Sequence, residues 1–151
     1  MREYWERWRK RPFGRRVFSW LMGFVVPYTG TIKPLVMEIG PGRAVVQMRD
    51  RRIVRNHLKS VHAIALMNLA EFTTGLAFSY ALPENTRFIL KRLSIEYVKK
   101  ARGTLPAECH CEVPAAGVEG EHVVESVVRD AAGDVVAIAA ATWLLGTHVR
   151  R

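Results

Sequence analysis

Between Asp50 and Glu84 the sequence carries one acidic residue, Glu71. It stands inside a run, VHAIALMNLAEFTTGLAFSY over residues 61–80, that would be apolar on nearly every side of a helix. A carboxylate placed there loses water, which raises its pKa and suits it to act as a general base or nucleophile. The alternative is an ion pair with an arginine or lysine from a neighbouring strand or subunit. Ile64, Met67, Asn68, Gly75 and Phe78 share its line at helical spacing. Thr73 and Thr74 could orient water, or bond back to a helix carbonyl. Upstream, the Asn56 amide could hold water or a carbonyl group, or bond its own turn. His62 either orders the loop before the helix or ionises in catalysis; His57 reads as structural or exposed.

The elements that must position these residues follow from patterning. An all-round apolar helix is buried on all sides, and residues 60–80 form one, with Ser60 as N-cap and Pro83 and Asn85 as its stop. Residues 35–39 and 43–49 read as strands around Gly40-Pro41-Gly42. Residues 88–100, 103–113, 121–129 and 135–145 read as four more, the last two joined by a turn at Ala132-Gly133-Asp134. Residues 3–26 read as short basic helices, broken near Pro12-Phe13-Gly14 and ended by Pro27. In the second of these, Val17, Phe18, Leu21, Phe24 and Val25 recur at helical spacing, which predicts a face packed on the domain. A buried helix with strands on both sides in sequence needs a sheet around it.

The chain has 151 residues, enough for one domain with a core, and 49% are hydrophobic. Its net charge of +9 is uneven. Residues 1–16 hold seven bases and two acids, and Arg150 and Arg151 add two more charges, leaving residues 17–149 nearly balanced. The basic end is either a solubilising terminus or a contact for an anionic surface or polyphosphate; no nucleic-acid partner is expected. Cys109 and Cys111 would share one face of a strand with His110 on the other, which argues against a disulfide and against a metal site. No glycine-rich phosphate loop or G-x-S-x-G is present. Residues 17–26 are too short an apolar run to span a bilayer. Arg15-Arg16-Val17-Phe18 faintly resembles an export signal, but Pro27-Tyr28-Thr29-Gly30 follows where a cleavage site would be, so a cytoplasmic location is expected.

The segment Asn56-x5-His62-Ala63-x7-Glu71-x3-Gly75 resembles the active-site signature of acyl-CoA thioesterases related to 4-hydroxybenzoyl-CoA and phenylacetyl-CoA thioesterases. That signature is Asn, then His-Gly-Gly, then Asp or Glu eight residues after the first Gly. The run Leu93-Ser94-Ile95-Glu96-Tyr97-Val98-Lys99-Lys100-Ala101-x-Gly103 resembles the strand that follows. Arg55-Asn56-His57-Leu58, Ala70-Glu71-Phe72 and Pro27-Tyr28 are similar to a thioesterase-like hotdog branch of unknown function. The resemblance covers residues 15–145. It implies an α+β hotdog fold, an antiparallel sheet wrapped around a long central helix, with residues 1–30 as an N-terminal basic amphipathic helical arm and 31–151 as the hotdog domain.

It also implies roles. Glu71 would activate water or attack the thioester. Ala63 stands at the first Gly, and its N–H at the helix N-terminus would stabilise the oxyanion. Asn56 would position the reacting group, with His62 beside it. Asn68, Thr74, Lys91, Arg92, Lys99, Lys100 and Arg102 would bind substrate, the bases near the coenzyme A phosphates. Both signature glycines are absent, at Ala63-Ile64, and Leu90 stands where some relatives carry a hydroxyl. The implied function is hydrolysis of an acyl-CoA or acyl-carrier-protein thioester; the alternative is a non-catalytic binder of the same thioesters. A hotdog dehydratase or hydratase and a basic surface binder rank lower. Coenzyme A enters as part of the substrate, and no other cofactor is expected. Hotdog sites lie between protomers, so a dimer or dimer of dimers is implied, with membrane contact through the basic arm as an option.

Overall fold

The computed structural model describes residues 1–83, 86–115 and 117–146. Asn85, half of the expected helix stop, and Arg150 and Arg151 of the basic tail lie outside the described residues.

The long apolar run forms α4 (Ala63–Ala81), with three short N-terminal helices, α1 (Arg2–Trp8), α2 (Gly14–Val25) and α3 (Pro27–Gly30), ahead of the sheet. The strands are β1 (Leu35–Gly40), β2 (Arg43–Arg49), β3 (Arg87–Tyr97), β4 (Thr104–His110), β5 (Gly120–Arg129) and β6 (Val135–Gly146). They make one antiparallel sheet in the order β1-β2-β4-β5-β6-β3. Every strand lies against α4. This is the hotdog α+β fold.

Alternation along each strand supplies the core. Ala44, Val46 and Met48 point inward from β2; Leu105, Ala107 and Cys109 from β4; Ala137, Ala139, Ala141 and Trp143 from β6. The run of small side chains on β6 leaves room for α4 to lie close. A bulge at Lys91, between the pairs Leu90–Trp143 and Arg92–Thr142, keeps Leu93 and Ile95 on the helix side of β3.

The start of α4 differs from the sequence expectation. The helix begins at Ala63, and His62 rather than Ser60 is its N-cap, Nδ1 accepting the Ile64 N–H at 3.1 Å. Ser60 is engaged elsewhere: its hydroxyl donates to Asn56 Oδ1 at 3.1 Å. The Val61 N–H donates to the Ala101 carbonyl at 2.9 Å, which keeps residues 60–61 out of the helix. At the other end Leu82 turns extended before Pro83.

The N-terminal helices of residues 1–30 pack on the sheet at its β1 edge. The Trp5 indole N–H donates to the Ile39 carbonyl at 3.1 Å, and its ring packs edge-on to Phe18 at 5.1 Å. The packed face of α2 is also not the expected one. Phe18 and Ser19 are buried, whereas Leu21, Phe24 and Val25 are exposed. The cause is the edge strand β1: its Val36 N–H needs an acceptor on the side away from β2, and Ser19 Oγ supplies one at 2.8 Å. That bond turns Ser19 inward and carries Phe24 out.

Candidate active site

Most of α4 is sealed, and one stripe is not. Ala63, Met67, Glu71, Gly75 and Ser79 are half-buried, four residues apart, and Ile64 beside them is exposed. The residues between them are buried. At this spacing they stand above one another along a single line of the helix.

Glu71 is the charge on that stripe. Among the described residues no cation or hydrogen-bond donor meets its carboxylate, so the ion-pair alternative is not realised within one chain. Burial pushes its carboxyl above the ordinary glutamate range. Next along the line, Gly75 lets the helix close on Trp143; a Cβ at Gly75 would stand 3.3 Å from the Trp143 ring. The indole N–H of Trp143, with Ser126 Oγ and His122 Nε2, is buried without a partner among the described residues. Beyond Phe78 a cleft of about 410 Å³ opens, lined by Cys111, His122 and Val124 among others.

The Ala63 N–H sits at the first turn of α4, where helix amides have no intrahelical acceptor. Two segments hold it in place. From the loop before the helix, Asp50 accepts from Arg55 at 2.6 Å and from the Gly103 N–H at 3.2 Å, and the Arg55 hydrogen bond holds its carboxyl below the usual aspartate range. From the exit of β3, the Arg102 guanidinium donates to the Lys59 carbonyl at 3.3 Å. Tyr97 donates its hydroxyl to the Ala63 carbonyl at 3.1 Å. Sequence reading did not single out Tyr97, although strand alternation with Leu93 and Ile95 puts it on the inner face; what it meets there depends on where the helix starts.

Asn56 organises its own turn: Oδ1 accepts from the Leu58 N–H at 2.9 Å, the Ser60 N–H at 3.2 Å and the Ser60 hydroxyl. His62 is committed to the cap. Asn68 is buried on another side of α4 and donates to the Tyr28 carbonyl at 3.3 Å. Thr73 and Thr74 bond back to the Leu69 and Glu71 carbonyls at 2.7 and 2.8 Å.

The five bases expected near phosphate do not form one cluster. Lys91 sits at the β3 bulge and pairs with Glu121. Lys99 lies eight residues on, about 25 Å along an extended chain, and pairs with Asp130 and Asp134 at 2.7 and 2.6 Å. Arg102 holds the loop. Arg92 and Lys100 are exposed, with no ion pair among the described residues. Cys109 and Cys111 lie close together, and the neighbouring thiol together with burial pushes the Cys109 thiol up. His110 turns to Glu108 at 2.7 Å.

Comparison with known proteins gives the chain's family and fold. A structural-genomics crystal structure, APC5556, is 30% identical over 96% of this chain and 96% of its own, with a TM-score of 0.84. A Pseudomonas aeruginosa protein of unknown function, called a probable thioesterase, is 23% identical over 89% and 94%, with a TM-score of 0.75. A Haemophilus influenzae thioesterase is 14% identical over 82% and 85%, at 0.72, a likeness of fold. No curated protein matches the sequence. Residues 14–145 match the family described as a domain of unknown function, DUF4442. With the match running from α2 into β6, the chain belongs to the DUF4442 family, an uncharacterised family with the hotdog fold of thioesterases.

Proposed function

We propose that the protein hydrolyses acyl thioesters carried by coenzyme A or an acyl carrier protein. The observation that carries this reading is Glu71: a half-buried carboxylate with a raised pKa and, among the described residues, no partner, on the one uncovered stripe of a sealed helix. Such a group either removes a proton from water or attacks the thioester carbonyl itself, and the thiol then leaves. The negative charge that builds on the carbonyl oxygen needs a donor, and the Ala63 N–H at a helix N-terminus is suited to it.

The spacing of the two groups adds a condition. Eight residues of helix separate them by about 12 Å along the axis, too far for one carbonyl to meet both within a chain. They can serve one thioester only if they come from two copies, which supports a dimer with two shared sites. Edge strand β3 is the natural seam: among the described residues its one strand neighbour is β6, and Ile89 and Tyr97 on it and Val98 just beyond it are exposed. Of the five bases expected near phosphate, Arg92 and Lys100, without an ion pair among the described residues, are the ones that would meet it.

The test is thiol release from a panel of short, long and aromatic acyl-CoAs by the wild-type protein and Glu71→Gln. We expect hydrolysis to fall about a hundredfold or more in the variant. Equal rates for both proteins would end the proposal. A second reading, binding without turnover, is favoured by Ile64, whose side chain is 49% exposed beside Ala63 where a glycine would leave more room. Calorimetric binding across the panel with no thiol release would select it.

A further inference from the structure

Helix α2 is apolar on the side that faces solvent. Its inner side carries Phe18 and Ser19. Its outer side carries Trp20 and Phe24, 68% and 77% exposed, with Val25 at 73%. Phe13, in the residue before the helix, is 72% exposed, and Tyr28 of α3 is 65% exposed. Phe13, Val17, Trp20 and Phe24 recur at three- or four-residue spacing, so they form one line; the Trp20 and Phe24 rings lie 6.1 Å apart. A soluble surface rarely gathers large aromatic side chains in this way without a use for them.

The charge around the line has one sign. From residue 7 to residue 37 there are seven bases, Arg7, Arg9, Lys10, Arg11, Arg15, Arg16 and Lys33, and no acid. Among the described residues only Arg9 of these has a carboxylate partner, Glu6. A second copy meeting this face across a twofold axis would bring like charge against like charge. A nucleic acid would satisfy the bases but give Phe24 and Val25 nothing apolar to enter. The surface of an anionic bilayer satisfies both, since aromatic and aliphatic side chains enter the headgroup boundary while arginines meet the phosphates.

We propose that α2 and its junction with α3 dock the protein on the surface of an anionic phospholipid bilayer. Twelve residues of helix are about 18 Å long, short of the about 30 Å needed to cross, so the helix lies in the interface. The junction is held firmly: a Cβ on Gly30 would stand 2.4 Å from the Gly23 carbonyl oxygen, so α2 and α3 touch through bare backbone. From α3 the Tyr28 carbonyl accepts the Asn68 amide, one turn of α4 before Glu71. The docking face is therefore braced on the helix that bears the candidate carboxylate. Its test does not depend on hydrolysis.

The experiment is co-sedimentation of the full chain with phosphatidylcholine vesicles, with and without phosphatidylglycerol. We expect binding only to the anionic vesicles, weakening with salt. The double variant Trp20→Ser/Phe24→Ser should bind at least about tenfold more weakly, as should Arg15→Glu/Arg16→Glu, with wild-type circular dichroism. As a second readout, brominated lipid should quench wild-type tryptophan emission, and Trp20→Phe should still bind but lose that quenching. No binding to anionic vesicles, wild-type binding by both double variants, or quenching that persists in Trp20→Phe overturns the proposal. So does a drop in oligomeric size in Trp20→Ser/Phe24→Ser, which would make the face an interface between copies, or duplex DNA binding as tight as vesicle binding.

Discussion

Glu71 carries its charge where burial removes water and, among the described residues, no cation meets it, and this has two measurable consequences. The folded chain holds the Glu71 proton more tightly than the unfolded chain does. Stability therefore falls as pH rises from the ordinary glutamate pKa through the raised folded one. Removing the charge should relieve that cost. The urea midpoint of Glu71→Gln at neutral pH should equal or exceed that of the wild type, and the gap should close below the ordinary glutamate range. A midpoint well below wild type at neutral pH would mean that the carboxylate holds a structural partner. Hydrolysis should need the ionised form, so kcat/KM should fall on the acid side with an apparent pKa above that of free glutamate.

At the scale of elements, the first turn of α4 is positioned by chain that is remote in sequence. Asp50 bridges Arg55 and the Gly103 N–H, and so joins the loop before the helix to the exit of β3. Because its folded pKa is depressed, its contribution is complete above the ordinary aspartate pKa and is lost as pH falls through that value towards the folded one. Asp50→Asn should cost about 1 kcal/mol at neutral pH and flatten the acid limb of stability, measured by denaturant titration at a series of pH values. The His62 cap is a second such contact. His62→Ala should cost about 1 kcal/mol and shift the thermal midpoint down while leaving the sheet's circular dichroism unchanged.

For the molecule as a whole, the proposed pairing of Glu71 with the Ala63 N–H requires two copies of the chain, given their separation along α4. Ala63→Pro is a clean probe. Proline is tolerated at the first helical position, lacks the N–H in question, and follows a residue, His62, already in the extended conformation that proline requires. Each of Ala63→Pro and Glu71→Gln alone should lose about a hundredfold or more in hydrolysis. Mixed and refolded together, they should regain part of the wild-type rate, because one site of each mixed dimer then has an intact Glu71 and an intact Ala63 N–H. No recovery in a verified mixed dimer would place both groups in sites that single chains complete. Ile89→Lys/Val98→Lys, on the edge strand β3 and just beyond its end, should shift the sedimentation of a dimer towards monomer.

The order of elements was legible in the sequence because it rests on patterns that neighbouring residues set among themselves. An all-round apolar run makes α4 a buried helix whatever covers it, and period-two alternation marked all six strands to within a few residues. Glu71 stood out for the same reason, as the single charge in that run. The likeness to thioesterase signatures gave the hotdog fold, which the sheet order then displayed. What decided the site was contact between distant segments. Which stripe of α4 stays uncovered depends on where the strands end. Ser60 lost the cap to His62 because Asn56 and Ala101 hold residues 60 and 61. The bases on β3 separated because an extended strand spreads eight residues over about 25 Å. The outward turn of Phe24 followed from one unpaired amide on β1. Local sequence fixes periodicity, but it does not say which neighbour arrives to cover a face or satisfy a polar group, and the tertiary structure alone supplies that.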